Sequence, residues 1–284
     1  MQTFFNQATL TYNGNTVSSN IVQGELIEVL SAAKTATADS YEPGDTVTYV
    51  VSIVNTGTAP YNGITVTDDL GGYEFNGTTV YPLDFIEGSV RLFVNGILQA
   101  IPAVTSGPPL VISGINIPAG GNAVLVYSTT VTPFAPLGTG ASINNTATLS
   151  CTGITTPITA EETLPFSEEP ALAITKALTP TSVPENGQLT YTFVISNYGA
   201  TDAVATDDIV VTDTFNPILN PITVTYNGTV WEEGTDYTYN ETTGLFTTIA
   251  GQITVPAATY TQDPTTGEFI ITPGTSTLTV TGNV

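Results

Sequence analysis

Two stretches of the chain repeat each other segment by segment. Pro43-Gly-Asp-Thr-Val-Thr-Tyr-Val-Val-Ser-Ile-Val-Asn-Thr-Gly57 matches Glu185-Asn-Gly-Gln-Leu-Thr-Tyr-Thr-Phe-Val-Ile-Ser-Asn-Tyr-Gly199. Ile64-Thr-Val-Thr-Asp68 matches Ile209-Val-Val-Thr-Asp213, and Leu92-Phe-Val-Asn-Gly96 matches Val224-Thr-Tyr-Asn-Gly228. Lys34 stands as far from Tyr49 as Lys176 does from Tyr191. One structural unit is therefore used twice. The repeated segments are short, rich in Val, Ile, Thr and Tyr, and bounded by Gly, Pro and Asn, which is the pattern of strands. Six Asn-Gly pairs, starting at Asn13, Asn62, Asn76, Asn95, Asn186 and Asn227, mark tight turns between them. The expected fold is all-β: two tandem Ig-like β-sandwich domains with an N-terminal donor strand. The expected divisions are 1–29 for the donor strand and its linker, 30–166 for the first sandwich and 167–284 for the second.

The copies differ at their ends. Copy one finishes with Ser142-Ile-Asn-Asn145-Thr-Ala-Thr-Leu149-Ser-Cys151, whereas copy two stops at Thr277-Leu-Thr-Val-Thr-Gly-Asn-Val284, the equivalent of the strand before it. A segment of the missing type opens the chain: Phe5-Asn6-Gln-Ala8-Thr9-Leu10-Thr11 aligns with Asn144-Asn145-Thr-Ala147-Thr148-Leu149-Ser150. A sandwich one strand short exposes an apolar groove and unpaired edges. A lone strand cannot fold by itself. Two closures resolve the mismatch. Strand 4–12 enters the second sandwich of another subunit, a heterologous contact that propagates into a fibre. Alternatively it returns to its own chain across linker 13–29, about 55 Å if fully extended. In either case Phe4 and Phe5 are the expected anchors of the donor strand, with Ala8 and Leu10 on its inward face.

The chain has 3 Lys+Arg, 25 Asp+Glu, no His and one Cys, for a net charge of −22. Three cations cannot build a nucleic-acid surface. The missing His removes Ser-His-Asp and Cys-His catalysis and makes a zinc or copper site untenable. Acidic clusters at Asp68-Asp69, Asp202/Asp207/Asp208 and Asp263/Glu268 lack the spacing of a calcium loop. Neither a metal nor a cofactor is expected. There is no apolar run long enough for membrane insertion. The start, Met1-Gln2-Thr3-Phe4-Phe5, lacks the basic and apolar stretches of a secretion signal.

The only two lysines, Lys34 and Lys176, occupy matched positions. Strand alternation puts Lys34 in phase with Ala32 and Ala36, and Lys176 with Ile174 and Leu178. Asp68 falls in phase with Ile64 and Val66, and Asp213 with Ile209 and Val211. Asn145 and Asn6 fall in phase with the Ala and Leu that follow each of them. Each sandwich is thus expected to bury one Lys, one Asp and one Asn. Burial lowers a lysine pKa and raises that of an aspartic acid. A neutral amine can then attack the Asn carboxamide while the Asp acts as the acid, and the product is an isopeptide crosslink. The expected sets are Lys34–Asn145 with Asp68 inside copy one, and Lys176–Asn6 with Asp213 between subunits. The alternative is a buried ion pair with Asn as a hydrogen-bond partner. Beyond this self-directed chemistry, no enzyme activity is expected.

The sequence Lys-Thr, then Pro-Gly-Asp-Thr-Val-Thr-Tyr, Asn-Thr-Gly-Thr-Ala, Ile-Thr-Val-Thr-Asp-Asp-Leu and Asn-Asn-Thr-Ala-Thr-Leu resembles the bacterial conserved-repeat family called "domain of unknown function eleven". The resemblance runs through nearly the whole chain, twice, and weakens in copy two, where Pro-Glu-Asn-Gly replaces Pro-Gly-Asp. It implies a repeat of extracellular stalks and surface layers, or a major subunit of spore appendage fibres. The implied location is the spore or cell surface. The implied partners are further copies of the chain and other appendage components. A stalk or adhesin fragment of a larger surface protein is the alternative.

Overall fold

The computed structural model describes residues 2–26, 28–154 and 156–284. Met1, Ile27 within the expected linker, and Thr155 lie outside the described residues. Strands β1 (Gln2–Asn6), β2 (Thr9–Tyr12), β3 (Asn15–Ser18) and β4 (Val22–Leu26) come first. The first sandwich follows as β5 (Leu30–Ala36), β6 (Thr46–Asn55), β7 (Tyr61–Asp68), β8 (Tyr73–Phe75), β9 (Thr78–Val80), β10 (Leu83–Phe85), β11 (Arg91–Val94), β12 (Ile97–Leu98), β13 (Ala103–Thr105), β14 (Leu110–Ile117), β15 (Asn122–Val131), β16 (Ser142–Ser150) and β17 (Ile158–Pro165). The second comprises β18 (Leu172–Thr179), β19 (Gln188–Asn197), β20 (Thr212–Thr214), β21 (Ile222–Tyr226), β22 (Thr229–Val230), β23 (Tyr237–Asn240), β24 (Leu245–Thr248), β25 (Thr259–Gln262), β26 (Phe269–Thr272) and β27 (Gly274–Asn283).

In the first sandwich one sheet runs β12-β11-β15-β6-β5, with β10 also on β15, and the other runs β13-β14-β7-β16-β17. Alternate residues of β6, β15 and β16 point inward and are buried, as the period of two requires. They meet in one core that includes Tyr49, Val51, Ile53, Val66, Leu125, Tyr127 and Leu149. The edge strand β5 packs against β17 and β16 of the facing sheet. Four of the Asn-Gly pairs close two-residue hairpins. At Asn13-Gly14 both residues adopt positive φ, 46° and 77°, a conformation that glycine enters without penalty and Asn tolerates.

The second sandwich repeats this plan as far as it goes. One sheet runs β18-β19-β27-β21-β22 and the other β20-β24-β23. β27 pairs with β19 as β15 pairs with β6, and β24 lies beside β20 as β14 lies beside β7. Among the described residues nothing occupies the places of β16 and β17. Strand β18 is consequently exposed along almost its whole length. A clasp with no counterpart in copy one, the β25–β26 hairpin, reaches back to the first sandwich. Tyr260 lies edge-on to Phe166 with ring centroids 5.6 Å apart, and Gln262 Nε2 donates to Tyr73 Oη at 2.9 Å.

The N-terminal segment is a hairpin. β1 pairs with β4, Asn6 facing Val22, and β2 pairs with β3 across Asn13-Gly14. Residues 13–29, expected as an extended linker, instead supply the returning arm up to Leu26. Between the two ladders Ser19 holds the arms together: its N–H donates to Ala8 O at 2.8 Å, and its hydroxyl accepts from Ala8 N at 3.0 Å. Phe4, Phe5, Ala8 and Leu10 are all exposed. The Phe4 ring packs over Gly24, where the missing side chain leaves room for it.

Candidate functional site

The first sandwich brings Lys34, Asp68 and Asn145 together in its core. β7 and β16 are neighbours, with Ala147 directly opposite Asp68 and Leu149 opposite Val66. Asn145 is two residues along β16 from Ala147, so it is the diagonal neighbour of Asp68 on the same inward face. Lys34 arrives from β5 in the facing sheet. Its Nζ donates to Asp68 Oδ2 at 2.6 Å, and both side chains are essentially without solvent exposure, 0 % and 1 %. Asp68 Oδ1 accepts from Leu70 N at 3.0 Å, and Tyr127 Oη donates to Oδ2. The ammonium also lies over the Tyr49 ring, 4.8 Å from its centroid, and that ring stacks on Tyr127.

Burial pushes the Lys34 amine below the ordinary lysine value, against the pull of Asp68. Burial likewise raises the Tyr49 and Tyr127 hydroxyls. Asn145 is fully buried, yet neither its Nδ2 nor its Oδ1 has a hydrogen-bond partner. Among the described residues the one other buried side-chain polar atom without a partner is Tyr49 Oη, in the same cluster. The Asn145 amide is near enough to Tyr49 to oppose the rise of its pKa. Proximity without alignment is not a hydrogen bond, however, and both groups stay unpaired. Each such group costs about 1–3 kcal/mol. A core built only for stability would have an aliphatic side chain at position 145.

The second sandwich assembles two of its three expected residues. Lys176 donates to Asp213, and its ammonium lies over Tyr191, Phe193 and Phe215 at 4.4, 5.5 and 5.6 Å from the ring centroids. The expected burial of Lys176 is not realised within the single chain: its side chain is 41 % exposed and that of Asp213 is 18 % exposed. The strand phase is as read, but among the described residues the sheet facing this side has no equivalent of β16 and β17. Asn6 sits on the free hairpin, paired with Val22 and away from Lys176.

Five aromatic residues of these sites, Tyr49, Tyr127, Tyr191, Phe193 and Phe215, escaped the sequence reading. Tyr49 and Tyr191 carried a signal, since they keep the same distance from their lysines in both copies. Phe215 follows Asp213 by two residues and takes the place of Leu70. Tyr127 had no such signal, because Val280 stands at its position: Tyr127 faces Tyr49 on β6 as Val280 faces Tyr191 on β19.

No protein-family model matches the chain, and no curated protein matches it. Among solved structures it is similar to a variant of BcpA, the major pilin subunit of Bacillus cereus, at 10 % identity over 87 % of this chain, with a TM-score of 0.39. It is also similar to RrgB, the pilus backbone of Streptococcus pneumoniae, at 13 % identity over 86 % of this chain, with a TM-score of 0.35. The chain spans 63 % and 55 % of the lengths of those two proteins. No residue role and no activity passes from them to this chain.

Proposed function

We propose that the chain is a structural subunit of an extracellular or spore-surface fibre, polymerising head to tail by lending its N-terminal hairpin to the second sandwich of the next copy. One observation carries this reading. The first sandwich is closed by the β16–β17 hairpin, the second has no such hairpin among the described residues, and a free-standing hairpin of the same kind opens the chain. Near the turn its register matches, Leu10 facing Val17 as Leu149 faces Ile158, and beyond it the returning arm carries one extra residue before Val22 faces Asn6. Phe4, Leu10 and Val17 on the hairpin, and Leu172 and Ile174 in the cleft, are all exposed. Covering them supplies about 1 kcal/mol or more for each half-exposed side chain. The contact is heterologous and so extends into a filament. The repeat-family resemblance supports the surface location.

Within each subunit, we assign an isopeptide bond between Lys34 and Asn145 with Asp68 as its acid. The reaction expels Nδ2 as ammonia and so removes one of the unpaired buried atoms. Intact mass tests this bond. A chain about 17 Da lighter than its sequence mass supports it, since condensation releases one ammonia. An unreduced mass overturns it.

Electron microscopy tests the polymer. The full chain is expected to form filaments, and the chain without residues 1–26 is expected to remain monomeric. Filaments from the shortened chain overturn hairpin lending. A second reading is favoured by the order of β15 and β16. In copy one the closing hairpin follows β15 directly, so residues beyond Val284 in a longer protein could close copy two. The chain would then be a stalk or adhesin module, and the full chain studied alone would stay monomeric.

A further inference from the structure

We propose that the cleft of the second sandwich is an assembly-gated crosslinking site, in which Lys176 forms an amide with Asn6 of the partner subunit only once that subunit's hairpin has covered it. The inference rests on the reading of the chain as a hairpin-lending subunit.

The geometry comes from the completed sandwich. There, Ala147 faces Asp68, Leu149 faces Val66, and Asn145 is diagonal to Asp68. Asn6, Ala8 and Leu10 repeat that spacing on the hairpin. Seating Ala8 opposite Asp213 and Leu10 opposite Val211 therefore brings Asn6 diagonal to Asp213, on the side from which Lys176 reaches it. A slip of one residue would turn Asn6 to the outer face, so the apolar residues that select the register also select the reacting pair.

The gate is solvent. Lys34 is sealed when its own chain folds, whereas Lys176 stays 41 % exposed. In the free subunit Lys176 is an ammonium held by Asp213 and three aromatic faces, which makes it stable and non-nucleophilic. Seating the hairpin removes water from the pair. Moving the proton from Nζ to the Asp213 carboxylate then gives an amine and an acid, the less costly buried form. Val280 in place of Tyr127 leaves Asp213 without the hydroxyl donor that Asp68 has. The Nζ lone pair attacks Cγ of Asn6, with Asp213 hydrogen-bonded to Oδ1. The Nζ–Cγ bond forms, and Asp213 relays a proton from Nζ to Nδ2. The Cγ–Nδ2 bond breaks, ammonia leaves and Asp213 ends as it began, protonated.

The test uses two full-length variants, Lys176→Ala, which keeps a reactive hairpin, and Asn6→Ala, which keeps a reactive cleft. Assembly is followed by electron microscopy, and covalent products by boiling in detergent and mass spectrometry. Wild type is expected to give filaments and boiling-resistant ladders, with each junction about 17 Da below the sum of its parts. Each variant alone is expected to give only monomers after boiling. Their equimolar mixture is expected to give covalent dimers and nothing longer, because each dimer retains only the mutated hairpin and the mutated cleft. Wild-type filaments that boil to monomers overturn the crosslink and leave the fibre reading intact. Absence of filaments overturns both. Ladders from either variant alone, or a wild-type monomer that has already lost a second ammonia, overturn the gated reaction between subunits.

Discussion

The two sandwiches carry the same strand plan and the same Lys–Asp pair, yet one is sealed and the other open. Leu30 and Leu172 show the difference at a single matched position. Leu30 is 6 % exposed beneath the facing sheet, and Leu172 is 42 % exposed over an empty cleft. Local sequence fixes which side of a strand a residue faces. Whether that side is dry depends on strands contributed from elsewhere. The same side chain is thus a core residue in one copy and an exposed residue in the other.

The largest effect that can break this comparison is the matched pair of substitutions Leu30→Asp and Leu172→Asp. In the first sandwich the change buries a carboxylate and removes core packing, and should cost about 3–5 kcal/mol, enough to unfold it. In the second it should alter the thermal stability of the monomer by no more than about 0.5 kcal/mol while abolishing filaments. Equal destabilisation by the two variants in calorimetry would mean that the second cleft is already filled within the single chain.

Asn145→Ala comes next. The substitution removes the partner of the proposed Lys34 bond, so the expected mass deficit of about 17 Da should vanish. By analogy with a disulfide, loss of the proposed crosslink should cost about 2–4 kcal/mol, or a Tm lower by on the order of 10 °C. A melting temperature equal to that of wild type would reduce Asn145 to a badly satisfied core residue.

The fold and half of the site were legible because strands alternate strictly. Lys34, Asp68 and Asn145 each share phase with aliphatic neighbours, so a pattern of period two places all three inward. That no described strand fills the places of β16 and β17 in copy two was expected because copy one supplies the template. The returning arm 15–26 was not. Its polar run Asn15-Thr-Val-Ser18-Ser-Asn resembles a linker, and its turn is two residues shorter than the one between Leu149 and Ile158. The β25–β26 clasp has no counterpart in copy one, so comparison of repeats cannot reveal it. Lys176 shares the phase of its apolar neighbours, but whether that face is buried depends on a facing sheet that the strand's own pattern does not report.

Tyr127→Phe separates the acid from its extra donor. Asp68 keeps Lys34 and the Leu70 N–H, so the mass deficit should persist, and the loss should be about 1 kcal/mol for one buried hydrogen bond. The variant brings the first site closer to the second, where Val280 already stands. A mass equal to the sequence mass would make the tyrosine part of the reaction and would count against crosslinking in the second site, which lacks it.

The smallest expected effect is a pH slope. In Asn145→Ala, Lys34 remains a free amine whose folded pKa lies below the unfolded value of 10.5, because burial disfavours the ammonium. Between those two values the unfolded chain binds more protons than the folded one, so stability should rise with pH and level off above 10.5. Under the proposed bond the same nitrogen in the wild type is an amide, and this rise should be missing. The buried hydroxyls of Tyr49 and Tyr127, whose pKa values are raised by burial, act in the opposite sense above pH 10, but they are common to both proteins. Denaturant titrations below that pH, compared between variant and wild type, isolate the lysine. Parallel curves would mean that Lys34 is in the same chemical state in both, and that the bond does not form.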